Sequence, residues 1–315
     1  MDRRWTRRHA LAAGAAGLAA LAARDAACNQ ERPQVEPFGY CLNTSTIRAD
    51  NLGIVAKIEI AAKAGYKGIE PWIREFDEFT KSGGSLKDLA KRIRDGGLSV
   101  ESAIGFAEWI VDDDARRAKG LDEAKRNMDI VAQVGGTRLA APPAGATDRA
   151  DLNLFRVADR YRALLELGDT MGVVPQVELW GFSKSLSRLG EVAFVAIESG
   201  HPKACVLTDV YHIYKGGSDI AGLRLFRGAA MHVIHMNDYP ADPPRDTITD
   251  AHRVYPGDGV APLGTILRTL RDIGFRGMLS LELFNRDYWK EPPLAVAQAG
   301  LDKMQSAVKQ ALGNT

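Results

Sequence analysis

The chain of 315 residues is 45% hydrophobic and 26% charged, a balance that excludes a disordered, collagen-like or multi-pass membrane protein. Its 41 Lys and Arg against 40 Asp and Glu give a formal net charge of +1. Five of those basic and two of the acidic residues fall in the first 27 positions, so the remainder holds 36 against 38 and has no positive excess to grip a nucleic-acid backbone. Cys28, Cys41 and Cys205 show no CxxC spacing, so neither a disulfide framework nor a cysteine zinc site is indicated.

From the N-terminus, residues 1–27 read as an export signal. Arg3, Arg4, Arg7 and Arg8 form a basic front, Ala10–Ala23 an apolar run too short to span a bilayer, and small residues follow. Thr6-Arg7-Arg8-His9-Ala10-Leu11 resembles a twin-arginine signal, which predicts a periplasmic protein. Lipid attachment at Cys28 is the alternative, against which Asp25 stands where an aliphatic residue is expected. Residues 28–36 read as a linker. Residues 37–315 then alternate short apolar runs with longer amphipathic segments. The runs Phe38–Leu42, Gly68–Trp72, Ser99–Ile104, Thr137–Ala141, Val173–Leu179, Ala204–Thr208, His232–Met236 and Met278–Leu283 read as strands. Helical segments are expected at Ile54–Ala64, Asp122–Val134, Leu154–Thr170, Pro262–Asp272 and Leu294–Leu312. Eight strand–helix units predict an α/β protein, a single-domain (β/α)8 TIM barrel, whose functional residues gather at the C-terminal ends of the strands.

Four of those ends carry a potential metal ligand in succession: Glu178, Asp209, His235 and Glu282. A charged group ending an apolar strand is costly unless something neutralises it. Three carboxylates and one imidazole make a hard, oxygen-rich set that predicts one divalent ion. Mn²⁺ comes first, with Mg²⁺, Co²⁺ or Zn²⁺ as alternatives. Each of these residues taken alone is also readable as a solvated loop acid or a core histidine. The tryptophans Trp72, Trp109, Trp180 and Trp289 follow strands two, three, five and eight, where flat apolar rings suit a sugar or simply cap the barrel. Glu70 and Glu108 are polar partners of the site or surface acids.

The set Glu178, Asp209, His235 and Glu282 resembles the metal ligands of the xylose-isomerase-like barrels. The chain Asp209-Val-Tyr-His212 is similar to a DxxH whose histidine contacts substrate, and Arg253-Val-Tyr-Pro-Gly-Asp-Gly259 to the arginine loop of the ketose 3-epimerases. The resemblance implies substrate contacts at His212 and Arg253, and a catalytic pair, Glu178 and Glu282, that removes and returns a proton beside a carbonyl. The implied function is a metal-dependent isomerase or epimerase of a keto sugar or cyclitol, acting through a metal-stabilised enediolate. A non-catalytic sugar-binding barrel is one alternative, which loss of a ligand would favour although all four are present; a dehydratase or β-eliminating deglycosidase is the other, and two departures bear on it. Lys184 stands where the epimerases place a second acid, and the segment from His235 to Arg253 is longer. Trp72, Trp180 and Lys184 complete the expected substrate contacts. No nucleic-acid partner and no transmembrane segment in the mature protein are expected, and homo-oligomerisation is left open.

Overall fold

The computed structural model describes residues 37–48 and 52–313. The expected signal, the linker and Cys28 lie outside the described residues. Eight parallel strands form one sheet: β1 (Gly39–Asn43), β2 (Gly68–Glu70), β3 (Ser99–Val100), β4 (Arg138–Ala141), β5 (Val174–Glu178), β6 (Val206–Asp209), β7 (Val233–Met236) and β8 (Met278–Leu281). Their order is β3-β2-β1-β8-β7-β6-β5-β4. One bond, from the Ala140 N–H to the Ala103 carbonyl (2.9 Å), joins the two end strands and closes the ring. This is the TIM barrel expected from the alternating pattern.

The helices are α1 (Ile54–Ala64), α2 (Ile73–Lys81), α3 (Leu86–Asp95), α4 (Asp114–Gln133), α5 (Leu154–Met171), α6 (Leu189–Glu198), α7 (Val210–Lys215), α8 (Leu263–Asp272) and α9 (Pro293–Leu312). Their starts are set by side chains: Asp113 accepts from the Arg116 N–H, and Asn153 from those of Phe155 and Arg156. Helix α4 begins well before the expected Asp122, because the Asp113 cap is followed by a polar turn that sequence periodicity does not reveal. The joint after α4 needs Gly135, whose φ of +86° suits glycine and turns the chain into β4.

The strands are buried on both faces, as parallel sheets are. Leu42, Ile69, Ile234 and Leu279 belong to the main core. A second, smaller cluster unites Trp72, Ile104, Ala140, Leu207 and Val233. The expected Ser99–Ile104 strand is cut to two residues, with only an isolated bridge between Ile104 and Trp72 beyond them. Strand alternation then places the polar ends: two residues beyond Leu207 comes Asp209, beyond Val233 His235, and beyond Ser280 Glu282. No described helix is long and apolar enough to cross a membrane.

Candidate metal centre and active site

The ends of β6, β7 and β8 bring Asp209, His235 and Glu282 together, all buried, with one ligand atom from each within 4.8 Å of the others. His235 Nδ1 lies 3.2 Å from Glu282 Oε2 and 3.6 Å from Asp209 Oδ2. Parallel register sets this up, since Asp209 pairs with His235 and His235 with Ser280 across adjacent strands. Glu178, from β5, reaches His235 Nδ1 at 3.7 Å but is not part of the triad. The difference has a cause: Arg253 Nη1 donates to both Asp209 Oδ2 (2.7 Å) and Glu282 Oε2 (2.9 Å) and draws those two carboxylates together.

The orientation of His235 is fixed from behind. Its Nε2 meets Glu70 Oε2 at 3.1 Å, and Asn43 Nδ2 (3.0 Å) and Ser280 Oγ (2.7 Å) donate to the same oxygen. Burial pushes the Glu70 carboxyl up, but His235 and these hydrogen bonds outweigh it and hold the group below its ordinary value. An ionised Glu70 takes the Nε2–H and leaves Nδ1 for a metal. Nδ1 has no hydrogen-bond partner, nor do Glu178 Oε2 and Glu70 Oε1. Buried orphans of this kind, with two carboxylates and an imidazole converging, fit a divalent cation. Exchanging Glu70 for Gln is expected to weaken metal binding by about 10- to 100-fold, as measured by calorimetric titration with Mn²⁺.

The remaining contacts order the carboxylates. Asp209 caps α7, its Oδ1 accepting from the His212 N–H at 2.9 Å and from Asn237 Nδ2 at 3.2 Å. Burial raises the Asp209 carboxyl, yet Arg253 and His212 hold it well below the ordinary range. Asn43 also donates to Glu282 Oε1 at 3.1 Å. Arg253 itself is held by Asp238. Asp238 forms an isolated antiparallel bridge with Val254, the residue after Arg253, and its carboxylate accepts from the N–H groups of Gly257, Gly259 and Ala261. A Cβ on Gly259 would lie 2.3 Å from Asp238 Oδ1, so the loop closes on its anchor only with glycine there.

Above the triad is a cavity of about 240 Å³, floored by Glu178, Glu282, His212, Asp250 and Arg253. Trp72, Phe106, Trp180, Phe182 and Phe284 wall it in a chain of ring contacts, with centroids 5.3 Å apart for Trp72–Phe106 and 5.8 Å for Phe106–Trp180. Drug-sized sites usually span about 300–1,000 Å³, so this one suits a single sugar-like ring. Trp72 is fixed by Asn43 Oδ1, which accepts from its indole N–H at 3.0 Å, and by the buried Lys57–Glu75 pair, whose Glu75 accepts from the Trp72 backbone.

The family model described as a xylose isomerase-like TIM barrel matches residues 58–307. The chain belongs to that family. It is 28% identical to an inosose isomerase of Bacillus velezensis over 257 residues, covering 79% of this chain and 90% of that one. It is 25% identical to a 3-dehydroshikimate dehydratase of Pseudomonas putida, covering 78% of this chain but 38% of that longer protein. Among solved structures, a crystal structure of the IOLI protein with a bound zinc atom superposes with a TM-score of 0.80 at 21% identity, covering 88% of this chain and all of that one.

Within this xylose isomerase-like barrel, the other expected site residues divide. Trp72, Trp180, His212 and Arg253 line the cavity; Lys184 is exposed and does not. The turn after β5 folds back, with the Lys184 N–H donating to the Thr147 carbonyl at 2.7 Å, so counting six positions from Glu178 leads away from the site. Trp109 is buried, donating its indole N–H to the Pro142 carbonyl, and Glu108 is a surface acid paired with Arg116. Asp250, which the long β7–α8 connection carries into the cavity, gave no motif; neither did Asn43 or Ser280.

Electrostatics make metal uptake proton-coupled. Burial raises the Glu178 carboxyl to about 8, against the pull of His235 and helped by Glu282, Glu70 and Asp209. His235 is held well above its ordinary value, where Glu282 and Glu70 overcome burial. An imidazole held up in this way gives up its proton when Nδ1 ligates an ion. Near pH 7, Mn²⁺ binding is expected to release protons, read from calorimetry in buffers of different ionisation enthalpy. Affinity is therefore expected to rise with pH.

Proposed function

We propose that this protein is a divalent-metal-dependent isomerase or epimerase of a keto sugar or cyclitol. The observation that carries the reading is the triad Asp209–His235–Glu282, whose Glu282 lines an aromatic-walled cavity together with Glu178, which holds a free carboxylate oxygen. Mn²⁺ fits the oxygen-rich donors first, with Mg²⁺, Co²⁺ or Zn²⁺ as alternatives. Held by these residues, the ion supplies polarisation of a carbonyl and acidification of the carbon between it and a neighbouring hydroxyl.

The chain's own groups do the rest. Glu178 Oε2, which has no hydrogen-bond partner, accepts the proton from that carbon. Glu282, which lines the same cavity, returns a proton and completes the carboxylate pair. His212 is kept neutral by burial, with its Nε2 accepting from Arg253 Nη2 at 3.1 Å, so the proton sits on Nδ1. The aromatic walls exclude water and offer flat faces to the C–H groups of a ring.

A lyase outcome on the same first step is the second reading, and the Nδ1–H of His212, which has no partner, favours it as a hydrogen-bond donor to the oxygen of a leaving hydroxyl or aglycone. Proton NMR of products from the Mn²⁺-loaded enzyme with inosose, a free ketose and 3-dehydroshikimate decides between the two. A new stereoisomer or position isomer supports the isomerase, loss of water the lyase, and binding without any turnover a sugar-binding barrel. We further infer that Arg7 and Arg8 direct export to the periplasm. Replacing both by Lys is expected to retain the protein in the cytoplasm on cell fractionation, and unchanged periplasmic recovery would contradict the signal.

A further inference from the structure

Against two walls of the cavity lies a cation that pairs with none of the acids of its floor. Arg48 closes the 3-10 turn Thr44–Ile47 that follows β1. Its guanidinium lies 4.2 Å from the centroid of Trp72, 5.3 Å from Phe284 and 5.7 Å from Trp289. Trp72 and Phe284 are cavity walls. Yet Nε and Nη2 of Arg48 are buried with no hydrogen-bond partner, and no carboxylate among the described residues pairs with it. Arg253, the buried guanidinium of the floor, is instead met by Asp209, Glu282 and Asp250.

A second guanidinium, that of Arg74, sits 4.7 Å from the same Trp72 ring. Two like charges thus share one indole without a counterion among the described residues. Burial, and next the repulsion of Arg74, bring the Arg48 guanidinium down to about 10. The nearest opposing charges, Glu75 and Glu282, are committed elsewhere: Glu75 to Lys57, Thr44 and the Trp72 backbone, Glu282 to Arg253 and Asn43. Cation–π contact with the three rings offsets burial of the head but does not satisfy its donors.

We propose that the substrate of this site carries an anionic group, a carboxylate or a phosphate ester, which Arg48 and Arg74 receive at the rim while its reacting carbons face Glu178 and Glu282. A guanidinium pre-set on an aromatic wall is suited to the planar fork of a carboxylate and also to phosphate oxygens. The inference rests on the functional reading of the same cavity and narrows its substrate class.

The test is calorimetric binding to the Mn²⁺-loaded full-length protein of three probes: 3-dehydroshikimate as carboxylate, a ketose phosphate, and neutral inosose. One anionic probe is expected to bind at least 10-fold more tightly than inosose, and the tighter of the two identifies carboxylate or phosphate. Arg48→Gln is expected to remove about 10- to 100-fold of that probe's affinity while changing inosose binding less than about 2-fold. Arg74→Gln, an independent rim variant, is expected to lower the same preference by a smaller factor. Equal binding of all three probes, or a preference that survives both variants, overturns the anionic-group assignment. Turnover of inosose in that event leaves the isomerase reading standing, and the two failures are thereby told apart.

Discussion

Glu178→Gln is expected to lower turnover by about 10²- to 10⁴-fold while the protein still binds one divalent ion. The side chain lies at the end of β5, lines the cavity and stands outside the triad that holds the metal. Glutamine keeps its shape and removes the proton acceptor. Steady-state rates and metal content by elemental analysis, taken on one preparation, check the result. Turnover above a tenth of the wild-type rate with metal retained would place the base elsewhere. Loss of the ion together with turnover would make Glu178 a fourth ligand first and a base second.

Arg253→Met is the second large effect. Its guanidinium is the one cation in hydrogen-bond contact with Asp209, Asp250 and Glu282 among the described residues, and it is itself fully buried. Removing one partner of a buried charged cluster costs about 3–5 kcal/mol, because the carboxylates left behind lose their neutralising group. For a barrel of this size that is a fall in melting temperature of about 10 °C in metal-free protein at pH 7. The pH dependence has a definite sign. Asp209 and Asp250 are depressed in the folded state, each against burial and chiefly through Arg253. Their stabilisation is present above the unfolded carboxylate value of 3.8 and is lost as pH falls through the lower folded values. The gap between wild type and variant should therefore shrink below about pH 4. A constant gap from pH 7 to 3 would show that Arg253 acts by packing on Tyr211 and Phe284 rather than by charge.

The barrel was legible because a parallel sheet leaves apolar runs at regular spacing. The strand-end acids were legible because a charge closing such a run has few explanations. Asp209, His235 and Glu282 each sit two positions beyond a buried inward residue, and that alternation survives in the sequence. What supports them was not legible. Glu70 follows only two apolar letters, and nothing local separates it from a surface acid such as Glu108; its role comes from His235, which is 165 residues away in the chain. Asn43 and Ser280 are small polar residues within apolar strands, and their significance appears only when three strand ends converge. Loop residues fared worst. Lys184 was expected in the site by its offset from Glu178, but the chain reverses after β5; Asp250 enters the cavity from a long connection whose path no periodicity records.

Solvent-deuterium exchange tests the central claim most directly. The Mn²⁺-loaded enzyme is incubated in D₂O with inosose, a ketose and 3-dehydroshikimate, and label beside the carbonyl is followed by proton NMR after protein and metal are removed. The account predicts label entering at that carbon in at least one substrate, at a rate abolished by EDTA, restored by Mn²⁺ and lowered at least about 100-fold by Glu178→Gln. Turnover of inosose or the ketose to a new isomer without exchange at that carbon, or exchange that EDTA leaves untouched, would contradict it.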